Sequence, residues 1–243
     1  MKLLISVIDP SECAAFPPWP DYLDVKNPAD GSLGMPKPEV VRRIRDFAGD
    51  GVVISAAIGD ATDDSKLYSE RAVAVAKEGA DIIKVGLLTF PSKNSTVNFL
   101  MDVDCSLRSA GFQKKIVAAL YADRVDKEFL REFPELLKKT GAWGCLIDTY
   151  DKTRGRLLTH LEFETLKTFT DTCRENGVVS ALAGGLQIED LEWLNEVAPD
   201  IAGFRSAVVA NGRASVGLSP EKLKTLFSRF RLKSTHRMRG FNL

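Results

Sequence analysis

Cysteine is scarce in this sequence and poorly spaced for chemistry. Cys13, Cys105, Cys145 and Cys173 are the full set in 243 residues and no two form a CxxC pair, so neither a zinc knuckle nor a redox dithiol is readable. Histidine is scarcer still, with two residues, one of them (His236) in a basic stretch near the end. A Ser-His-Asp triad or histidine-rich centre is therefore not expected, and no metal is assigned. Net charge is also missing. Lys plus Arg and Asp plus Glu each total 33, which removes any whole-protein electrostatic case for nucleic acid or an anionic membrane surface. No run approaches about 18 apolar residues, and MKLLISVIDP at the start lacks a signal-peptide cleavage pattern. A cytoplasmic protein without a membrane segment is the expectation.

What is present is the composition of an ordinary globular protein, 44% apolar and 27% charged, of a length that one core can organise. Eight short apolar or β-branched runs recur, at 2–8, 22–26, 52–58, 81–87, 115–120, 143–148, 178–184 and 200–205. Most are nearly continuous in hydrophobicity rather than alternating, as strands covered on both faces are. Helix-like segments lie between them at 36–48, 66–78, 94–110, 127–139, 162–176, 187–197 and 220–230. The helix after the third strand opens at Ser65, a candidate cap, and stops at Gly79; Gly111, Gly141 and Gly177 are similar stops.

Eight strand-helix units without a glycine-rich nucleotide turn after the first strand predict a (β/α)8 TIM barrel rather than an open doubly wound sheet. The catalytic domain is expected over 1–230. Pro17, Pro18 and Pro20 leave little room for a first helix, so an irregular first crossover is expected. Residues 231–243 are basic, lack a sustained apolar period and read as a C-terminal tail.

Barrels place chemistry at the C-terminal ends of their strands. Here those ends carry Asp24 and Lys26, Asp60, Lys84, Asp123, Asp148 with Lys152, Gly184-Gly185 and Arg205-Ser206. The lysines in YLDVKNP and ADIIKVGL are the sharpest signal. An ammonium near a barrel interior is costly unless paired or deprotonated, and a neutral amine can form a Schiff base with a carbonyl. The bland alternative is that Lys26 or Lys84 only neutralises Asp24 or Asp81. Asp60 and Asp123 could equally cap helices. ALAGGL (181–186) and GFRSAV (203–208) stand where barrels commonly bind phosphate, and Arg154 could add a donor from the sixth loop.

DVKNPADGSLG (24–34), SAAIGD (55–60), DIIKVGL (81–87), LIDTYDK (146–152) and ALAGGL (181–186) together resemble the (5-formylfuran-3-yl)methyl phosphate synthase family, also called 4-(hydroxymethyl)-2-furancarboxaldehyde-phosphate synthase. The resemblance runs from residue 1 to about 210. It implies a TIM-barrel lyase of methanofuran biosynthesis, with relatives in methylotrophic bacteria, that condenses two glyceraldehyde 3-phosphate molecules and releases one phosphate and two waters. It implies no metal or organic cofactor. It places the Schiff-base lysine on Lys26 and the proton acceptor on Lys84, with Asp148 and Lys152 as further active-site positions. The proline-rich first crossover and the basic tail depart from the family pattern. Another Schiff-base aldolase of phosphorylated sugars, or a non-catalytic phosphosugar-binding barrel, fits the same lysines. Oligomeric state is open, since exposed barrel helices commonly form symmetric contacts.

Overall fold

The structure is a computed structural model that describes every residue except 17, 63, 90–91, 212–215 and 240–243, with backbone alone described over 232–239. Eight parallel strands pair in chain order and close into a barrel. They are β1 (Lys2–Val7), β2 (Tyr22–Val25), β3 (Val53–Ala61), β4 (Ile82–Leu87), β5 (Lys115–Tyr121), β6 (Gly144–Asp148), β7 (Val179–Leu182) and β8 (Ile201–Phe204). The helices are α1 (Pro38–Ala48), α2 (Ser65–Lys77), α3 (Lys93–Ser109), α4 (Lys127–Leu137), α5 (Leu157–His160), α6 (Phe163–Glu175), α7 (Leu191–Val197) and α8 (Pro220–Arg239). The expected TIM barrel is the observed fold.

Strand periodicity sorts the core into two compartments. Leu3, Ile5, Val7, Leu23, Val25, Ile54, Ala56 and Ile83 face the helices and join the large cluster. The alternate positions, among them Ala57, Ile82, Val117, Ala119, Leu146, Ala181 and Ile201, form the barrel interior. Asp24, Lys84, Asp148 and Arg205 share the inward parity, which is why continuous-looking apolar strands carry charge without exposing it.

The first crossover is a 3-10 helix over Pro10–Ala15 instead of an α-helix, as the prolines imply. Phe16 stacks on Trp19 with ring centroids 5.2 Å apart and leads the chain into β2. Three local expectations change. Asp64, not Ser65, caps α2, its carboxylate accepting the Leu67 N–H at 3.0 Å. β3 continues past Ile58 to Ala61 because Gly59, at φ 118°, absorbs a bulge that sets Ala57 beside Lys84 and Asp60 beside Gly86. α8 continues past residue 230 to Arg239, since Arg, Leu and Lys propagate a helix and no Gly or Pro intervenes. Among the described residues, no helix is long and apolar enough to cross a membrane.

Candidate active site

Asp24 organises one side of the barrel mouth. Ser6, Asp24 and Ser55 are register partners on β1, β2 and β3, so their side chains emerge on one face about 5 Å apart. Both hydroxyls donate to the Asp24 carboxylate at 2.8 Å. Lys84 Nζ donates to Asp24 Oδ1 at 2.5 Å from two strands away, and the intervening Ala57 has only a methyl to obstruct its stem. Burial pushes the Asp24 carboxyl upward, but the charges of Lys84 and Lys26 and the bonds from Lys84 and Ser55 more than reverse this. Its pKa is lowered overall. Lys26 follows β2, its N–H bonded to Val7 O at 3.2 Å, and is itself buried. The alternative in which Asp81 serves these lysines does not hold: Asp81 binds Arg45 and the Ile54 N–H.

The opposite side carries a second pair. Lys152, on a 3-10 turn over Lys152–Arg154, binds Asp148 and donates to Thr149 Oγ1 at 2.8 Å. The Gly184-Gly185 turn presses on this loop. Both glycines have positive φ, 106° and 72°, and a Cβ on Gly184 would lie 3.2 Å from the Thr149 backbone nitrogen. Glycine is thus required twice over at 184, by conformation and by space.

Asp24, Lys26, Lys84, Asp148, Lys152, Gly184, Gly185, Arg205 and Ser206 all line one cavity. Three expected site residues do not line it. Asp60 accepts the N–H groups of Ser32 and Leu33 at 3.0 and 3.2 Å and the Tyr121 hydroxyl. Asp123 accepts the N–H groups of Tyr150 and Asp151 at 2.7 and 3.0 Å, bonds that outweigh burial and lower its pKa. It secures the loop that bears Lys152. Arg154 is exposed. Among the described residues, no group of three or more His, Cys, Asp or Glu could hold a metal ion.

Arg205 is the residue whose setting was least legible. It is buried and clamped by Glu12, with guanidinium bonds of 3.1 and 2.9 Å to the two carboxylate oxygens and a third of 2.9 Å to Ser6 O. Glu12 also accepts the N–H groups of Ile8 and Gly217 at 2.8 and 2.9 Å. Nothing in SECAAF marks Glu12 as functional. The signal was available only as a charge inside a segment too short and too proline-bound to present it to solvent.

The 4-HFC-P synthase family model matches residues 3–227. The chain belongs to the 4-HFC-P synthase family. The match extends beyond residue 210, where the motif resemblance faded, and takes in most of the barrel. A (5-formylfuran-3-yl)methyl phosphate synthase from Archaeoglobus fulgidus is 36% identical over 220 residues, covering 89% of this chain and 94% of that protein. The protein of the same name from Methanothermobacter thermautotrophicus is 34% identical over 220 residues, covering 89% and 93%. Among solved structures, 3-hexulose-6-phosphate synthase from Salmonella typhimurium superposes with a TM-score of 0.67 at 18% identity, covering 94% of this chain and 100% of that one. At that identity the likeness speaks for the barrel alone. For a 4-HFC-P synthase family member, the cavity shared by the DVKNP, IKVGL, LIDTYDK and ALAGGL motifs is the candidate active site.

Proposed function

We propose that this protein is a (5-formylfuran-3-yl)methyl phosphate synthase of methanofuran-type cofactor biosynthesis, a cytoplasmic lyase that joins two glyceraldehyde 3-phosphate molecules through a Schiff base on Lys26. The observation that carries the reading is the buried trio of Lys26, Lys84 and Asp24 opening into the cavity that the glycine turn and Lys152 also line.

On this reading the Lys26 amine attacks the aldehyde of the first triose phosphate, and water leaves as the imine forms. The cationic imine acidifies the adjacent C–H. Lys84, having given its ammonium proton to that departing water, takes the C–H proton in turn, and the Asp24 carboxylate at 2.5 Å stabilises the ammonium that re-forms. The enamine expels phosphate or adds to the second triose phosphate. Ring closure, loss of water and cleavage of the Lys26 C–N bond give the furan and return the lysine amine. The balance is two triose phosphates in; one furan phosphate, one phosphate and two waters out. Lys152 and the Gly184-Gly185 backbone N–H groups would hold substrate phosphate. Arg205, its charge already matched by Glu12, would contribute direction more than net charge, with Ser206 beside it. Asp148 keeps Lys152 in place and serves as a proton relay.

Glyceraldehyde 3-phosphate added alone should produce near-ultraviolet absorbance from a six-carbon furan phosphate with one phosphate released per furan. Lys26→Ala should abolish both the product and the borohydride-trapped adduct. An adduct that persists in folded Lys26→Ala protein would overturn the assignment.

A further inference from the structure

Lys26 stands at the base of a loop that returns on itself. The Asn27 N–H donates to Gly34 O at 2.8 Å, so residues 28–33 form a closed excursion. Its returning arm enters the barrel: Leu33 is fully buried and clusters with Ala57, Ala119, Tyr121 and Leu146. This arm is tied down at two places. Ser32 Oγ donates to Thr149 O at 2.9 Å, and the Ser32 and Leu33 N–H groups donate to the Asp60 carboxylate.

Asp60 can accept them only because the β3 bulge turns it inward. Tyr68 OH donates to Asp60 O at 2.9 Å and Arg71 to Ile58 O at 3.1 Å, so α2 braces the bulge. The Tyr121 hydroxyl then binds the same carboxylate. Room for this arrangement comes from two glycines. A Cβ on Gly86 would strike the Tyr121 hydroxyl and the Asp60 carboxylate, and one on Gly31, at φ 103°, would strike Asp60 from the loop side. Gly86 lies two residues beyond Lys84, so one strand supplies both the lysine that reaches Asp24 and the gap that admits the tyrosine. Burial, followed by the Asp60 charge, holds the Tyr121 phenol well above its ordinary pKa. It stays a hydrogen-bond donor.

We infer that Asp60 and Tyr121 are positioning residues for Lys26: they dock the returning arm at Leu33 in the β3–β5 half of the barrel mouth, which through Gly34 and Asn27 fixes the base of the loop and directs the Lys26 amine toward the other half. The catalytic part of this inference rests on the Schiff-base reading above; the docking part does not.

Tyr121→Phe removes only the hydroxyl, and Asp60→Asn keeps the shape while weakening acceptance of three donors. In both variants, amide hydrogen exchange across 27–34 should accelerate at least tenfold while α6 and β7 are unchanged. Borohydride trapping of Lys26 by glyceraldehyde 3-phosphate should slow about tenfold. kcat should fall in parallel, with KM within twofold, because the Lys152 and Gly184-Gly185 elements are untouched. A merely structural role would lower the melting temperature without separating kcat from KM. Unchanged exchange in both folded variants overturns the docking; faster exchange with wild-type trapping and turnover overturns the positioning role. If the wild-type protein itself forms no adduct, the Schiff-base reading falls while exchange still judges the docking.

Discussion

Two lysine-aspartate pairs face each other across the cavity, and they are built differently. Lys84 and Asp24 come from separate strands, with side chains 5% and 0% exposed. Asp148 ends β6 and is 2% exposed, whereas Lys152 stands four residues on in the loop that follows and is 18% exposed. A pair sealed between strands has no solvent to fall back on, so each partner is bound to the other's charge. A loop lysine near water can leave its carboxylate for another anion at little cost. The first pair suits a proton kept within the site, and the second suits a phosphate that arrives and departs.

Breaking the sealed pair should have the largest effect. Asp24→Asn leaves the Lys84 ammonium buried without its counter-charge and should cost about 3–5 kcal/mol of stability, read as a lower urea midpoint at unchanged slope, with turnover lost. Lys152→Ala should cost less, about 1–3 kcal/mol, because Asp148 keeps the Thr149 N–H at 2.7 Å and water at the mouth can replace the lysine, while KM for glyceraldehyde 3-phosphate should rise at least tenfold. Equal stability losses in the two variants would erase the distinction. The finest test is acid unfolding. The folded pKa of Asp24 lies below its ordinary value, so its contribution is present above the unfolded carboxylate's pKa of about 3.9. It is lost as pH falls through the folded value. The wild-type stability curve should therefore bend downward below about pH 4 more steeply than that of Asp24→Asn; superimposable slopes would show that Asp24 gains nothing from its lysines.

The barrel was legible because each strand is a short apolar run between helical segments, a pattern set by local chemistry. The lysines were legible for the same reason, as charges interrupting such runs. Asp60 was visible as a strand-end carboxylate, but its task depends on a bulge at Gly59 that changes which way the next residue faces, and a lone glycine reads more simply as a strand end. Leu33 looked like one more loop leucine because its burial comes from residues on β3, β5 and β6. Arg205 was placed at the mouth, yet its partner was hidden in the first crossover. Local pattern specifies where a side chain starts; long-range packing decides what it meets.

The Glu12–Arg205 clamp also bears on how the protein is made. Its partners are 193 residues apart, and β1 takes β8 as a neighbour. Glu12 leaves the ribosome early and must wait for nearly the whole barrel to be synthesised before the cation that makes its burial tolerable exists. Barrel closure and completion of the clamp are therefore late events. A nascent chain can carry Lys26 and Lys84 for much of its synthesis without enclosing them beneath a finished mouth, so the cavity around them is assembled only after the last strand is in place.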